Sequence, residues 1–247
     1  MGTSTKNDYL QYLYRTEASQ WWSVGMRKIS HALLEGMELE CPSILELGCG
    51  GGLFLHEVVE RQSPNVAVGS DLSPDALDYA TSHESLALLR TDCQAIALDS
   101  DSIDLVIGLD VFDQVSVSLE RVFSEVQRVL KPSGQLIIRV CAYPWLSGPR
   151  DNAWGTGRRY RASEVKSALI RAGFTPVRFT HANCFALGPA VILRILQKWG
   201  LLSVKSETLT PRWIEQIFLH GLMSEAKLLK RMNLPMGLSI YAIARKR

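Results

Sequence analysis

An apolar run that stops abruptly in a glycine cluster constrains this chain more than any other stretch: Ser43-Ile44-Leu45-Glu46-Leu47-Gly48-Cys49-Gly50-Gly51-Gly52. Ile44, Leu45 and Leu47 read as a buried strand, and Leu53 to Arg61 suits a helix. Strand, glycine turn and helix make the first unit of a doubly wound α/β sheet, whose ligands sit beyond the carboxyl ends of the strands. Glycine accepts positive φ and lets a ligand lie against bare backbone. The helix start adds N–H groups and a partial positive charge. A dinucleotide fingerprint starting at Gly48 would require glycine at position 53, where this chain has Leu53. The spacing is instead G-x-G-x-G, with an acid, Glu46, inside the preceding strand.

These ten residues resemble the first motif of the class I S-adenosylmethionine-dependent methyltransferases. The stretch Val129-Leu130-Lys131-Pro132-Ser133-Gly134-Gln135-Leu136 is similar to the same family's helix-to-strand crossover. The resemblance is strong over residues 42–141 and moderate over 162–181 and 237–245. It points to the type 11-like, small-molecule branch. It implies an α/β, Rossmann-like seven-stranded methyltransferase sheet with helices on both faces and an antiparallel last strand. On that plan 1–41 is an N-terminal helical cap, while 42–184 with 237–247 is the cofactor-binding core. Residues 142–161 form a lid loop, and 185–236 are a helical insertion before the last strand, on the acceptor side.

The remaining strand ends supply candidate ligands for the cofactor. Asn65 to Asp71 reads as a second strand ending in an acid 23 residues after Gly48, near the distance at which a carboxylate reaches ribose hydroxyls. Asp71 could instead cap the next helix, but Ser73 followed by Pro74 fits that role better. In the resembling family an acid past the third strand meets the adenine amino group, and the next residue's N–H meets a ring nitrogen. Asp92 and Cys93 occupy those positions. The cofactor set implied is Glu46, Gly48, Cys49, Gly50, Gly52, Asp71, Leu72, Asp92, Cys93 and Leu109. Trp22 and Arg27 join it from a helix whose apolar stripe runs Trp22, Met26, Ile29, Leu33. Packing on the sheet is the alternative for both. A cationic sulfonium beside an aromatic face would gain about 0.5–2 kcal/mol.

Ile103–Asp110 forms a fourth strand and its tip; Leu119, Val122, Phe123, Val126, Val129 and Leu130 then share one helical face. Many relatives carry an acid-His pair where this chain has Asp113-Gln114, which removes one general base. A phenol acceptor of pKa about 10 costs roughly 4 kcal/mol to ionise at pH 7, so such an acceptor would benefit from a base, whereas an amine or activated carbon needs less help. Asp113 and Tyr143 are the catalytic candidates, since both follow carboxyl ends of central strands. The irregular stretch from Ala142 to Arg161, rich in Pro, Gly, Trp and Arg, has the length of a binding loop. Phe112, Gln114, Tyr143, Trp145, Arg159, Tyr160 and His181 are the substrate-side candidates, with Trp154 offering a surface on which arginines could stack. Two helices, Ala190–Leu202 and Trp213–Arg231, follow the sixth strand, the second begun by Thr210 as cap and Pro211.

Composition narrows the chemistry. The five cysteines, Cys41, Cys49, Cys93, Cys141 and Cys184, include no C-x-x-C pair, and no His/Cys metal cluster or G-x-S-x-G elbow exists. No metal is expected. Residues 186–247 hold ten Lys+Arg against three Asp+Glu within a chain of net charge +2, either a solvated basic face or one that meets an anionic surface. The aromatic interleaving of a single-strand nucleic-acid platform is missing. A peripheral membrane contact by the basic amphipathic block is a further alternative. The first residues lack an apolar secretion signal, and no run long enough to span a bilayer occurs, so a cytoplasmic enzyme is expected. The function implied is S-adenosylmethionine-dependent methyl transfer to a small-molecule acceptor, by direct displacement at N, O or C. The alternatives are a protein or RNA acceptor, or a catalytically silent binding module.

Overall fold

The computed structural model describes residues 12, 14–37, 42–148, 151, 157–199, 201 and 211–247. Cys41, Trp154, Thr210 and the first eleven residues lie outside them.

Seven strands form one sheet: β1 (Ser43–Leu47), β2 (Val66–Asp71), β3 (Ala87–Arg90), β4 (Ile103–Leu109), β5 (Leu130–Cys141), β6 (Phe174–Ala182) and β7 (Ser239–Lys246). Their order is β3-β2-β1-β4-β5-β7-β6. The pairings among β1 to β5 are parallel, and β7 runs antiparallel to both β5 and β6. The reversal of strand order falls between β1 and β4, the switch point where such sheets bind ligands. Ile44 pairs with Ala67 on one side and Leu105 on the other, so β1 is central.

Helices cover both faces: α1 (Trp21–Leu34), α2 (Leu53–Gln62), α3 (Pro74–Ala80), α4 (Leu119–Val129), α5 (Ala162–Arg171), α6 (Leu187–Lys198) and α7 (Arg212–Leu229). Side chains alternate across a strand, which divides the core in two. Leu45, Leu47, Val106, Leu136, Ile138 and Ala242 meet α4 and α5 on one face. Ile44, Leu105, Ile107, Ile137 and Tyr241 meet α1, α2 and α7 on the other. Strands buried on both faces must be apolar almost throughout, as the sequences of β1 and β4 are. On α4 the residues Leu119, Val122, Phe123, Val126 and Val129 are buried, as their helical spacing predicts. Burying a Val or Phe side chain there contributes about 1.5–3 kcal/mol.

Two features differ from the sequence reading in detail. β5 begins at Leu130, directly after α4, because Leu130 pairs with Ile103 before a bulge shifts the register. Ser133 takes the positive φ of 64° that this bend requires. The last two helices also differ from one another. α7 packs along α1, with Leu222 against Gly25 and the Phe218 ring 5.3 Å from Trp21, so Leu222, Ala226 and Leu229 join the second core. None of the residues of α6 is buried. Its Ile192 and Ile195 are exposed, as are Trp199 just past its end and Trp213 and Ile217 of α7. Among the described residues no helix is long and apolar enough to cross a membrane.

Candidate functional site

The glycine turn between β1 and α2 is the floor of the site. Gly48, Gly50 and Gly52 have φ of 68°, 56° and 78°. A Cβ on Gly48 would lie 2.7 Å from Val111 Cγ2, so backbone conformation and space both demand glycine there. The Cys49 N–H donates to Ser70 O at 2.9 Å, tying the turn to β2.

Asp71 closes β2 beside this turn. One carboxylate oxygen accepts the Gly50 N–H at 3.1 Å and the other the Ser73 N–H at 2.9 Å. Ser73 itself caps α3, accepting the Ala76 N–H, which leaves Asp71 facing the turn. Each oxygen retains a lone pair for a further donor. Glu46 is 3% exposed. The Leu55 N–H holds its carboxylate, yet its Oε2 has no hydrogen-bond partner. Burial, reinforced by Glu17 and Asp71, raises its pKa well above the usual carboxylate range. An orphaned buried acid oxygen beside bare backbone is a site waiting for a donor or a cation.

Past β3, Asp92 turns the chain by accepting the Gln94 N–H at 2.9 Å. Cys93 is buried beside it, and burial with the adjacent Asp92 pushes its thiol up to about 12. Neither role conflicts with the other, since the Asp92 turn leaves carboxylate lone pairs unused. Leu109 is partly buried at the end of β4, whereas the Leu72 side chain is 61% exposed.

The α1 candidates have partners within the fold. Arg27 donates to Glu57 Oε1 on α2 at 3.1 Å and to the Glu17 carbonyl at 2.6 Å. Glu57 also meets His31 at 2.7 Å. The Arg27 charge therefore pins the start of α1 onto α2. Trp22 packs edge-on against Trp21, 5.8 Å between ring centroids, at the margin of the second core.

On the acceptor side the substrate candidates separate into two groups. Tyr143 has φ 61° just past β5. Its ring stacks on His181, 5.8 Å apart and 10° from parallel, and tilts against Trp145 at 5.7 Å. Trp145 is 55% exposed. Burial holds His181 below its usual pKa, so its imidazole is neutral near pH 7. Beside it, a groove of about 400 Å³ is lined by Phe179, His181, Leu234 and Pro235. The structure thus brings Tyr143, Trp145 and His181 together.

Phe112, Tyr160, Arg159 and Asp113 do not join them. Phe112 fills the core against Phe123, and the fully buried Tyr160 donates its hydroxyl to the Phe112 carbonyl at 2.9 Å. Neither side chain offers a surface to substrate, because the return of the lid beside β5 seals both. Arg159 is locked to Asp151 by bonds of 2.7 and 3.1 Å and reaches the Ala142 carbonyl. Asp113 is fully buried, accepting the Cys141 N–H at 2.9 Å while its Oδ1 lacks a partner. Burial, with Asp110 nearby, raises its pKa. That places it under the floor of the acceptor side and out of reach of an incoming proton donor. Gln114 is half-buried and accepts the Val117 N–H through its carbonyl.

Two groups escape the sequence reading. Arg139 of β5 grips Asp110 with bonds of 2.8 and 2.5 Å and donates to the Tyr241 hydroxyl, buttressing the tip of β4. Tyr14 and Glu17 lie over the glycine turn. No spacing rule links residues that meet only through the folding back of the chain.

The donor set fits a nucleoside that carries a charged amino-acid tail. It combines a glycine cradle, a carboxylate fixed beside it and an unsatisfied buried acid. No group of His, Cys, Asp and Glu able to hold a metal exists among the described residues. A methyltransferase-domain family profile matches residues 45–138. A malonyl-[acyl-carrier protein] O-methyltransferase from Methylococcus capsulatus is 26% identical over 74% of this chain and 70% of its own length. A ubiquinone biosynthesis O-methyltransferase from Bartonella tribocorum is 28% identical over 45% of this chain, a match that spans less than half, 44%, of that enzyme. Among solved structures, the Haloferax volcanii complex of the Trm112 methyltransferase activator with a methyltransferase aligns over 97% of this chain and 94% of its own, at TM-score 0.64 and 18% identity. Sheet order, glycine turn and family profile agree on a class I S-adenosylmethionine-dependent methyltransferase domain, which the profile matches over residues 45–138.

Proposed function

We propose that this chain transfers the methyl group of S-adenosylmethionine to a small-molecule acceptor. The single observation that carries the reading is the Asp71 carboxylate, fixed by two backbone N–H groups against a turn of left-handed glycines. Asp71 would hold the ribose hydroxyls, Asp92 and the Cys93 N–H the adenine edge, and Leu109 the ring face. The bound donor supplies a methyl on a positively charged sulfur, which leaves neutral, so displacement requires neither metal nor covalent protein intermediate. The work left to the chain is orientation, which can supply about 7–11 kcal/mol when attacking atom, methyl and sulfur lie in line.

Tyr143, Trp145 and His181 would form the acceptor wall. Their stacked, partly exposed rings suit a flat or apolar acceptor. Among the described residues that would form this wall, neutral His181 is the group that could take a proton near pH 7. An amine or activated carbon would need no such help.

The test is calorimetry with S-adenosylhomocysteine. Removing a carboxylate hydrogen-bonded to two hydroxyls costs about 1.5–3 kcal/mol, so Asp71→Ala should bind roughly 10- to 100-fold more weakly. Equal affinity of the variant and the wild type would remove the ribose assignment. Transfer of labelled methyl into a cell extract separates an enzyme from a silent binding module.

A second reading places the acceptor on a carrier protein of acidic surface; the name of the Methylococcus relative puts that enzyme's acceptor on an acyl-carrier protein. The +7 balance of residues 186–247 favours it. Methyl transfer that falls steeply with added salt would support this reading over a free small molecule.

A further inference from the structure

α6 is attached to the molecule by its polar side. Its Arg194 lies 3.9 Å from Asp151 and donates to Gln197, and Asp151 is gripped in turn by Arg159. Just ahead of α6, the Phe185 ring meets Phe218 of α7 at 5.4 Å. Gly188, Ile192, Ile195 and Trp199 follow one another at intervals of four, three and four, which sets them on one face of the helix. With 3.6 residues per turn, Arg194 points about 160° away from Ile192. The outer face is open: Ile192 is 60% exposed and Trp199 72%. An ordinary surface helix turns such a stripe inward, whereas α6 turns it to solvent.

Charge accompanies the stripe. On α7, Trp213 and Ile217 are exposed and lie four residues apart, on one face of that helix. Lys198 and Arg212 stand next to the two exposed tryptophans, themselves exposed and in no ion pair among the described residues. Of the acids on α7, Glu225 is buried and accepts the Cys184 N–H, and Glu215 is partly buried. Residues 186–247 hold ten Lys+Arg against three Asp+Glu. A second copy of this face would bring the same positive charge against it, which disfavours self-association. An anionic lipid surface supplies the opposite charge. Protruding tryptophans and isoleucines flanked by basic residues settle at the boundary between headgroups and acyl chains.

We propose that α6, with the start of α7, is a docking face for an anionic membrane surface. α6 lies in the plane of the bilayer, its Ile192, Ile195 and Trp199 in the headgroup boundary, while Lys198 and Arg212 meet the lipid phosphates. The attachment is peripheral, since no helix among the described residues is long and apolar enough to cross a bilayer. Arg194 ties the inner side of α6 to Asp151, which also accepts the Gly148 N–H at 2.8 Å. Docking therefore brings the segment after β5, which carries Trp145, to the same surface.

In the experiment the full chain is floated with vesicles of phosphatidylcholine, either alone or with roughly 30% phosphatidylglycerol. It should rise with the anionic vesicles and stay below with the neutral ones, and about 0.5 M sodium chloride should release most of it. Trp199→Ala combined with Ile192→Ser should bind the anionic vesicles about tenfold more weakly, from the apolar area withdrawn. Lys198→Gln should lose about fivefold, the effect of one cation near a charged surface. These side chains are exposed, so both variants should melt at the wild-type temperature. The contrast between the two vesicle types in the unaltered protein does not depend on any variant. Failure of the wild type to bind the anionic vesicles would overturn the proposal, as would equal binding to both types or undiminished binding by the Trp199, Ile192 variant. A dimer in sedimentation velocity that Ile192→Glu dissolves, with vesicles ignored, would assign the face to a second copy instead.

Discussion

Asp113 shows how one residue can be found in the sequence and still be misjudged. Its position after β4 suggested a catalytic group, but its carboxyl is buried under the strand tips and held by the Cys141 N–H. In the unfolded chain such a carboxyl ionises near pH 4, whereas burial and Asp110 raise it in the folded protein. Between those values the folded state binds the extra proton, so this group's contribution to stability falls as pH rises above about 4. Asp113→Asn should flatten that decline in urea melts taken from pH 5 to 8, and the gap between variant and wild type should narrow toward acid pH. A parallel pH dependence in both proteins would show that Asp113 ionises freely. The place of Asp71 beside the glycine turn was legible because it depends on a spacing along two adjacent strands that the sequence carries. Glu17 was not, because it reaches the turn through a reversal of chain direction that leaves no periodic trace.

At the scale of elements, apolar spacing identified α1, α4 and α7 but not what each one covers. The Phe218, Leu222, Ala226, Leu229 stripe of α7 lies along α1, where Gly25 admits Leu222. The two segments expected as separate caps thus pack on one another. Leu222→Ala should cost about 2–5 kcal/mol through lost burial and the cavity left behind. In a protein of this size that lowers Tm by very roughly 4–20 °C, while affinity for S-adenosylhomocysteine stays within a fewfold of wild type. A large loss of affinity would mean that α7 positions α1 over the ligand as well as covering it. The irregular segment after β5 was legible as a Pro- and Gly-rich break, yet the pairings of its described residues were not. Tyr160 is drawn into the core because its N–H bonds Cys141 O and its hydroxyl finds the Phe112 carbonyl, and neither partner is near in sequence. Arg159 is drawn to Asp151 in the same way.

For the molecule as a whole, the sheet order was implied almost entirely by the first motif and the crossover. Each parallel βαβ unit has one favoured hand, which leaves few topologies open. A ligand bound at the switch point touches the ends of several strands at once, so its binding energy stabilises the entire sheet. Saturation with S-adenosylhomocysteine at 100 times its Kd should add about 2.7 kcal/mol and raise Tm by roughly 5–11 °C. Absence of a shift at that excess would argue against binding to the folded state. The antiparallel β7 has a different consequence. It pairs with β5 along Gln135–Cys141 and with β6 along Phe174–Ala182, so it occupies an interior place between two strands made well before it. During synthesis β6 lacks its strand partner until residues 239–246 clear the ribosome. The nascent protein must therefore keep an open seam in its sheet, exposed to chaperones and to its own copies, until that last segment slides in and zips it shut.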